Sequence, residues 1–213
     1  MGNDLLPKLV DKSLTREKLL QSIKQDPDLL PVVLKGTSSL KAAIRYGCAK
    51  VLMDLSDEKP EQLYPHMDFF IKLLDSRYRI LTWNAMAIIA NLTEVDIENV
   101  FDSIFDKYYH FIDDEYMVTV ANVVGNSGKI ALAKPYLVQK ITMELLRVEN
   151  IHTSPHLTEE CKMVIAEKAI KSFDTFFHLV QDQNLVLSFV KRQLASTRKT
   201  LRTEAEHFLK KWS

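Results

Sequence analysis

The stretch Ile44-Arg45-Tyr46-Gly47-Cys48-Ala49-Lys50-Val51-Leu52-Met53-Asp54-Leu55 sets Ile44, Cys48, Leu52 and Leu55 at offsets zero, four, eight and eleven. At about 100° per residue these positions fall within about 80° of one another, so they form one apolar stripe on a helix. Such a stripe has to be buried against neighbours. The same offsets recur at Leu81, Ala85, Ile89 and Leu92; at Tyr116, Val120, Val124 and Ser127; at Cys161, Ile165, Ala169 and Ser172; and at Leu201, Ala205, Leu209 and Trp212. The first positions are separated by 37, 35, 45 and 40 residues, a period that fits two helices and two turns. An apolar segment precedes each striped helix, at 29–34, 67–74, 97–112, 136–148 and 185–194, and is expected to form the first helix of each pair.

The punctuation between these segments agrees. Asp26-Pro27 sets a capping residue ahead of a proline in a first helical turn, and Gly36-Thr37-Ser38-Ser39 closes one helix and opens the next. Gly125-Asn126-Ser127-Gly128 is expected to end the third striped helix, Ala133-Lys134-Pro135 to begin the following one, and 150–155 to form a loop. With only five Gly and few alternating β-branched runs, the chain reads as all-α. The expected organisation is one repeat domain over 1–213. A short helical segment lies within 1–25, centred on 15–24, and the repeats fall near 26–56, 57–93, 94–128, 129–180 and 181–213.

Two striped helices open with an aliphatic residue followed by Arg, at Ile44-Arg45 and Leu201-Arg202. Cys161-Lys162 matches in part, and Leu81-Thr82 and Tyr116-Met117 depart from the pattern. Leu30-Pro31-Val32 carries a proline inside a first helix, and Pro65 sits three residues further from its stripe than Pro31 does. In these features residues 27–212 resemble the HEAT-like family of the armadillo-type superfamily. The resemblance implies a right-handed α-solenoid of about five antiparallel helix pairs that binds partners on a concave face. The side of each striped helix opposite the stripe would line that face. Its candidate partner-binding residues are Tyr46, Lys50, Asp54, Trp83, Asn91, Asn122 and Asn126. Amides supply both a donor and an acceptor for an extended peptide backbone, and the aromatics cover its side chains. This is similar to the Asn and Trp arrays of armadillo peptide readers, although Ala87 stands four residues after Trp83 where those arrays place Asn. The implied function is a noncatalytic protein-interaction scaffold or adaptor with a protein or peptide partner and no cofactor.

Twenty-eight basic and 28 acidic residues balance, which removes the overall positive field expected of a nucleic-acid or anionic-membrane binder. The charge is nevertheless uneven. Residues 94–115 hold eight Asp or Glu against Lys107, and residues 188–213 hold seven Lys or Arg against Glu204 and Glu206. Arg192, Arg198, Lys199, Arg202, Lys210 and Lys211 form a candidate basic patch, the basis of a runner-up reading as a nucleic-acid binder related to HEAT-like DNA glycosylases. That family's cluster of Trp, Asp and Arg is not recognisable here. No catalytic or metal-binding constellation is evident: none of the six histidines precedes Glu, and Asp113-Asp114-Glu115 reads as a helix start. Cys48 and Cys161 are expected as buried free thiols, and Leu6 argues against a myristoylation signal at Met1-Gly2. No apolar run is long enough for a membrane span, and a cytoplasmic protein is expected.

Overall fold

The computed structural model describes Leu6 and residues 14–212, and among the described residues there is no strand, only the isolated bridge between Ser154 and Leu157. The chain divides into two compact units, Met1–Phe101 and Asp102–Ser213.

In the first unit α1 spans Arg16–Gln25, with the Thr15 hydroxyl accepting the Lys18 amide at 3.3 Å as its cap. Asp26 caps the 3-10 turn Pro27–Leu29, which runs into α2, Leu30–Gly36. The striped helix α3, Ala42–Glu58, packs on α1 and α2, and Ile44, Cys48, Leu52 and Leu55 are all buried on it. The following first helix comes in pieces: α4, Pro60–Leu63, a 3-10 turn at Tyr64–His66, then α5, Met67–Leu73. Pro65 lies at the break because it offers no amide to the ladder. The next striped helix, α6, spans Arg79–Leu92, packs on α3 and α5, and buries Leu81, Ala85, Ile89 and Leu92. Asp96 ends this unit as a buried hub. Its carboxylate accepts the Tyr64 hydroxyl at 2.8 Å and the amides of Val100 at 2.8 Å and Phe101 at 3.0 Å. Those amides open α7, Val100–His110, whose second residue closes the unit. Asn99 turns the chain there at φ 56°, a left-handed conformation that Asn adopts more readily than most residues.

The second unit continues α7 into a 3-10 turn at Phe111–Asp113, followed by α8, Met117–Ala133. A 3-10 turn at Pro135–Leu137 leads into α9, Val138–Leu146. After a loop come α10, Glu159–Phe176, α11, Gln183–Gln193, and α12, Lys199–Trp212. Helix α10 is central and packs against both α8 and α12. Its core is aromatic: Phe173 lies 6.0 Å from Phe189, and Phe177 lies 5.0 Å from Phe208. Buried Tyr109 places its hydroxyl 3.1 Å from Ser127 Oγ, which in turn donates to the Val123 carbonyl at 2.8 Å.

Three expectations are corrected. Gly125 and Gly128 do not end a helix; α8 runs through both to Ala133. Gly128 is there for close approach to α10, since a Cβ at that position would lie 2.4 Å from Thr175 Oγ1 and 3.4 Å from the Ser172 carbonyl. In α12 the buried residue of the third turn is Phe208, not Leu209, because the Phe208 ring seats against Phe177. Cys161 is half-exposed in the first turn of α10, whereas Cys48 is fully buried and burial pushes its thiol pKa up to about 12.

Gly36 is the second close-approach glycine. A Cβ there would meet Cys48 Sγ at 2.4 Å, so the fully buried Cys48 thiol on α3 would have to shift within the core. Gly36→Ala is therefore expected to lower stability by about 1–3 kcal/mol, and Cys48→Ala in the same chain should recover most of that loss. A double-mutant cycle by urea denaturation checks this; additive effects would show that the two side chains do not meet.

Candidate functional site

The joints that lead into the striped helices determine which residues stay at the surface, and they repeat one hydrogen-bond pattern. Ser39 Oγ accepts the Lys41 amide, Ser76 Oγ the Tyr78 amide and Ser196 Oγ the Arg198 amide, each at 3.2 Å, while Asp114 accepts the Tyr116 amide at 2.8 Å. Each local turn holds the next residues extended before the helix begins. The residue six after the Ser then reaches back. Arg45 donates to the Ser39 carbonyl at 2.8 Å, Arg202 to the Ser196 carbonyl at 2.7 Å, and the Thr82 hydroxyl to the Ser76 carbonyl at 3.5 Å. The aliphatic-Arg dipeptide therefore closes the turn, and Thr82 does the same more weakly.

These joints also correct the register of the third striped helix. The striped helices begin at Ala42, Arg79, Met117, Glu159 and Lys199. Ile44, Leu81, Cys161 and Leu201 each lie two residues inside, so the equivalent in α8 is Thr119 rather than Tyr116. Val120, Val124 and Ser127 of the expected stripe are fully buried all the same, beside Thr119, Val123 and Ile130 at no more than 1% exposed, so Tyr116 is the member that leaves it. Tyr116 instead lies before the helix, stacked on His156 with ring centroids 4.2 Å apart.

In the first unit the candidate residues lie along α3 and α6. Tyr46 and Trp83 share the second position after the stripe begins, and both are half-buried. Lys50 pairs with Asp54 one turn along α3 at 2.8 Å. Asn91 Nδ2 donates to Ser56 Oγ at 2.9 Å and so ties α6 to α3. Tyr46 is not isolated. Its ring makes an edge contact with Tyr78, centroids 6.5 Å apart, and the Arg45 guanidinium lies 4.6 Å from the Tyr46 centroid and 3.8 Å from that of Tyr78. Tyr78 and Arg77 were not among the candidates read from the sequence, because their place depends on α3 meeting the joint before α6. The signal in the chain was Ser76, which copies Ser39.

In the second unit Asn122 Nδ2 donates to the Val118 carbonyl of its own helix at 2.8 Å, and Asn126 hydrogen-bonds the hydroxyl of buried Tyr108. With α8 registered on Thr119, Lys129 rather than Asn126 is equivalent to Asn91. Most of the candidate basic patch is occupied. Arg192 donates from Nε and Nη2 to the Glu149 carboxylate, at 2.7 and 2.6 Å, and Lys211 meets both oxygens of Asp174 at 2.9 Å. Arg198 bonds Glu160 and Glu167, and Arg202 is spent on the Ser196 and Thr197 carbonyls. Burial raises the pKa of Glu167, but hydrogen bonds from Lys171, Thr200 and Arg198 outweigh it and hold the carboxyl below the usual range. Lys199, Arg202 and Lys210 are the patch members without a carboxylate counter-ion among the described residues. The acidic segment is engaged as well: Asp102 meets buried Lys134 at 3.6 Å, and Asp113 meets Arg147 at 2.5 Å. No group of three or more His, Cys, Asp or Glu able to hold a metal ion occurs among the described residues, and no described helix is long and apolar enough to cross a membrane.

No protein-family model matches the chain, and no curated protein matches it. Solved structures do. A designed armadillo repeat protein in complex with the peptide (KR)4 is 14% identical with a TM-score of 0.62, covering 98% of this chain and 91% of that one. Computationally designed armadillo repeat proteins for modular peptide recognition are 16% identical with a TM-score of 0.62, over 98% and 92% of the two chains. At these identities the likeness is one of fold: the chain has the all-α helical-repeat architecture of the armadillo and HEAT type, the α-solenoid class.

Proposed function

We propose that the chain is a noncatalytic cytoplasmic scaffold that binds an extended peptide, using Tyr46, Lys50, Asp54, Trp83 and Asn91 of the first unit. The observation that carries this reading is the pair of large aromatics, Tyr46 and Trp83, held half out of the core at one register position of adjacent helices α3 and α6. Burial of the stripe residues on the same helices supports reading that row as the opposite side. Rigid aromatic rings bind side chains at low entropic cost, and the polar residues one and two turns along are suited to backbone groups of a bound segment. The likeness to proteins designed for peptide recognition supports the same reading.

Selection of the full chain against a display library of random dodecapeptides tests it. Peptides recovered on the wild type should lose at least about tenfold in affinity on the variant carrying Trp83→Ala and Asn91→Ala, as expected when an aromatic anchor is truncated. Circular dichroism should show the helical fold retained. Equal affinity of both proteins would remove these residues from the binding face.

A further inference from the structure

At the joint before α6 two arginines and two tyrosines come together. Arg45 is 6% exposed, and two backbone carbonyls, the Tyr46 hydroxyl and two ring faces surround it, while its Nε has no partner among the described residues. Arg77, exposed, donates from Nη2 to the Tyr78 hydroxyl at 2.8 Å, and its guanidinium carbon lies 4.7 Å from the Tyr78 centroid. One tyrosine ring thus carries two guanidinium cations. Neither arginine meets a carboxylate among the described residues, whereas Lys24, Lys50 and Lys59 of the same unit are paired with Glu58, Asp54 and Glu61.

What this cluster offers is donors. The Tyr46 and Tyr78 oxygens each accept from a guanidinium, which leaves each phenolic hydrogen to donate outward, and Arg77 keeps further N–H groups beyond the one it spends. The Arg45 charge lies fixed beneath them in a site of reduced solvation, where it strengthens the attraction for an anion. The cluster also stands at the amino-terminal ends of α3 and α6, whose dipoles add to the field. Two guanidinium cations flanked by aromatic rings and phenolic donors are complementary to a carboxylate.

We infer that the peptide bound by the first unit is acidic, with an Asp or Glu side chain seated on Arg77, Tyr78 and Tyr46 over the buried Arg45. This rests on the peptide-binding reading above and gives the partner its charge, opposite in sign to the (KR)4 peptide held by one structural neighbour.

The test is fluorescence anisotropy of the full chain with three labelled octapeptides: alternating Asp and Glu, alternating Lys and Arg, and alternating Asn and Gln. The acidic peptide should bind at least about tenfold more tightly than the neutral one, the worth of a hydrogen bond to a charged group. Arg77→Ala and Tyr78→Phe should each remove most of that preference, and Arg77→Glu should reverse it; Arg77 is exposed, so its variants leave the core untouched. Neutral or basic peptides binding as tightly, still weakened by Trp83→Ala, would overturn the acidic assignment and leave the scaffold standing. Acidic binding indifferent to Arg77→Ala and Tyr78→Phe would overturn the seat. Failure of all three octapeptides, alongside library peptides that bind through Trp83, would overturn the acidic assignment alone.

Discussion

Ile89→Asp is expected to abolish the cooperative thermal transition of the first unit, where Ile89 is fully buried on α6. The helix packs on α3 and α5, and its stripe neighbours Ala85 and Leu92 are fully buried as well, so a carboxylate at this position finds apolar surroundings. It would be buried without a partner or protonated at a cost, in addition to losing the isoleucine's packing; the two together come to about 5 kcal/mol or more. That is comparable to the whole stability of many domains. Leu52→Asp on α3, equally buried, should do the same. Circular dichroism melts decide it: a variant that melts as sharply as the wild type would show that the stripe does not form the core.

Phe208→Ala should cost the second unit about 3–5 kcal/mol, and Leu209→Ala well under half of that. Phe208 is 2% exposed and packs its ring against Phe177 at 5.0 Å and Trp212 at 6.4 Å, whereas Leu209 is half-exposed. The offsets alone place Leu209 in the stripe. Position zero, four, seven and eight all lie on one side of a helix, and the choice between seven and eight is made by what stands opposite. Here Phe177 selects the aromatic ring. Urea denaturation of the two single variants checks the order, and a larger loss for Leu209→Ala would restore the original register.

Much of the architecture was legible because a helical stripe is a local property. Thr15, Asp26, Pro27 and Pro135 stand at helix starts in the structure as they read in the chain, since capping and proline effects involve only a few consecutive residues. The misreadings share a different cause. Gly125 and Gly128 look like helix-ending residues until α10 is placed against α8, and Tyr116 looks like a stripe residue until Asp114 is seen holding the turn in front of it.

The candidate site was legible in the same partial way. Tyr46 and Trp83 could be placed on one face from spacing, but the Arg45 guanidinium reaches the ring of Tyr78 from 33 residues earlier in the chain. The basic patch shows the opposite effect. It reads as one run of charge in sequence, and Glu149, Glu160, Glu167 and Asp174 from other segments neutralise Arg192, Arg198 and Lys211 within it.

By itself, then, the sequence determined that the chain is helical and where most of its buried stripes lie, because periodicity and capping act over a single turn. Tertiary packing decided the register of α8, the choice of Phe208, the need for glycine at 36 and 128 and the pairing of each charge. Those depend on which side chain a neighbouring helix presents, and a one-turn shift along a helix leaves its own periodicity unchanged while altering every contact it makes.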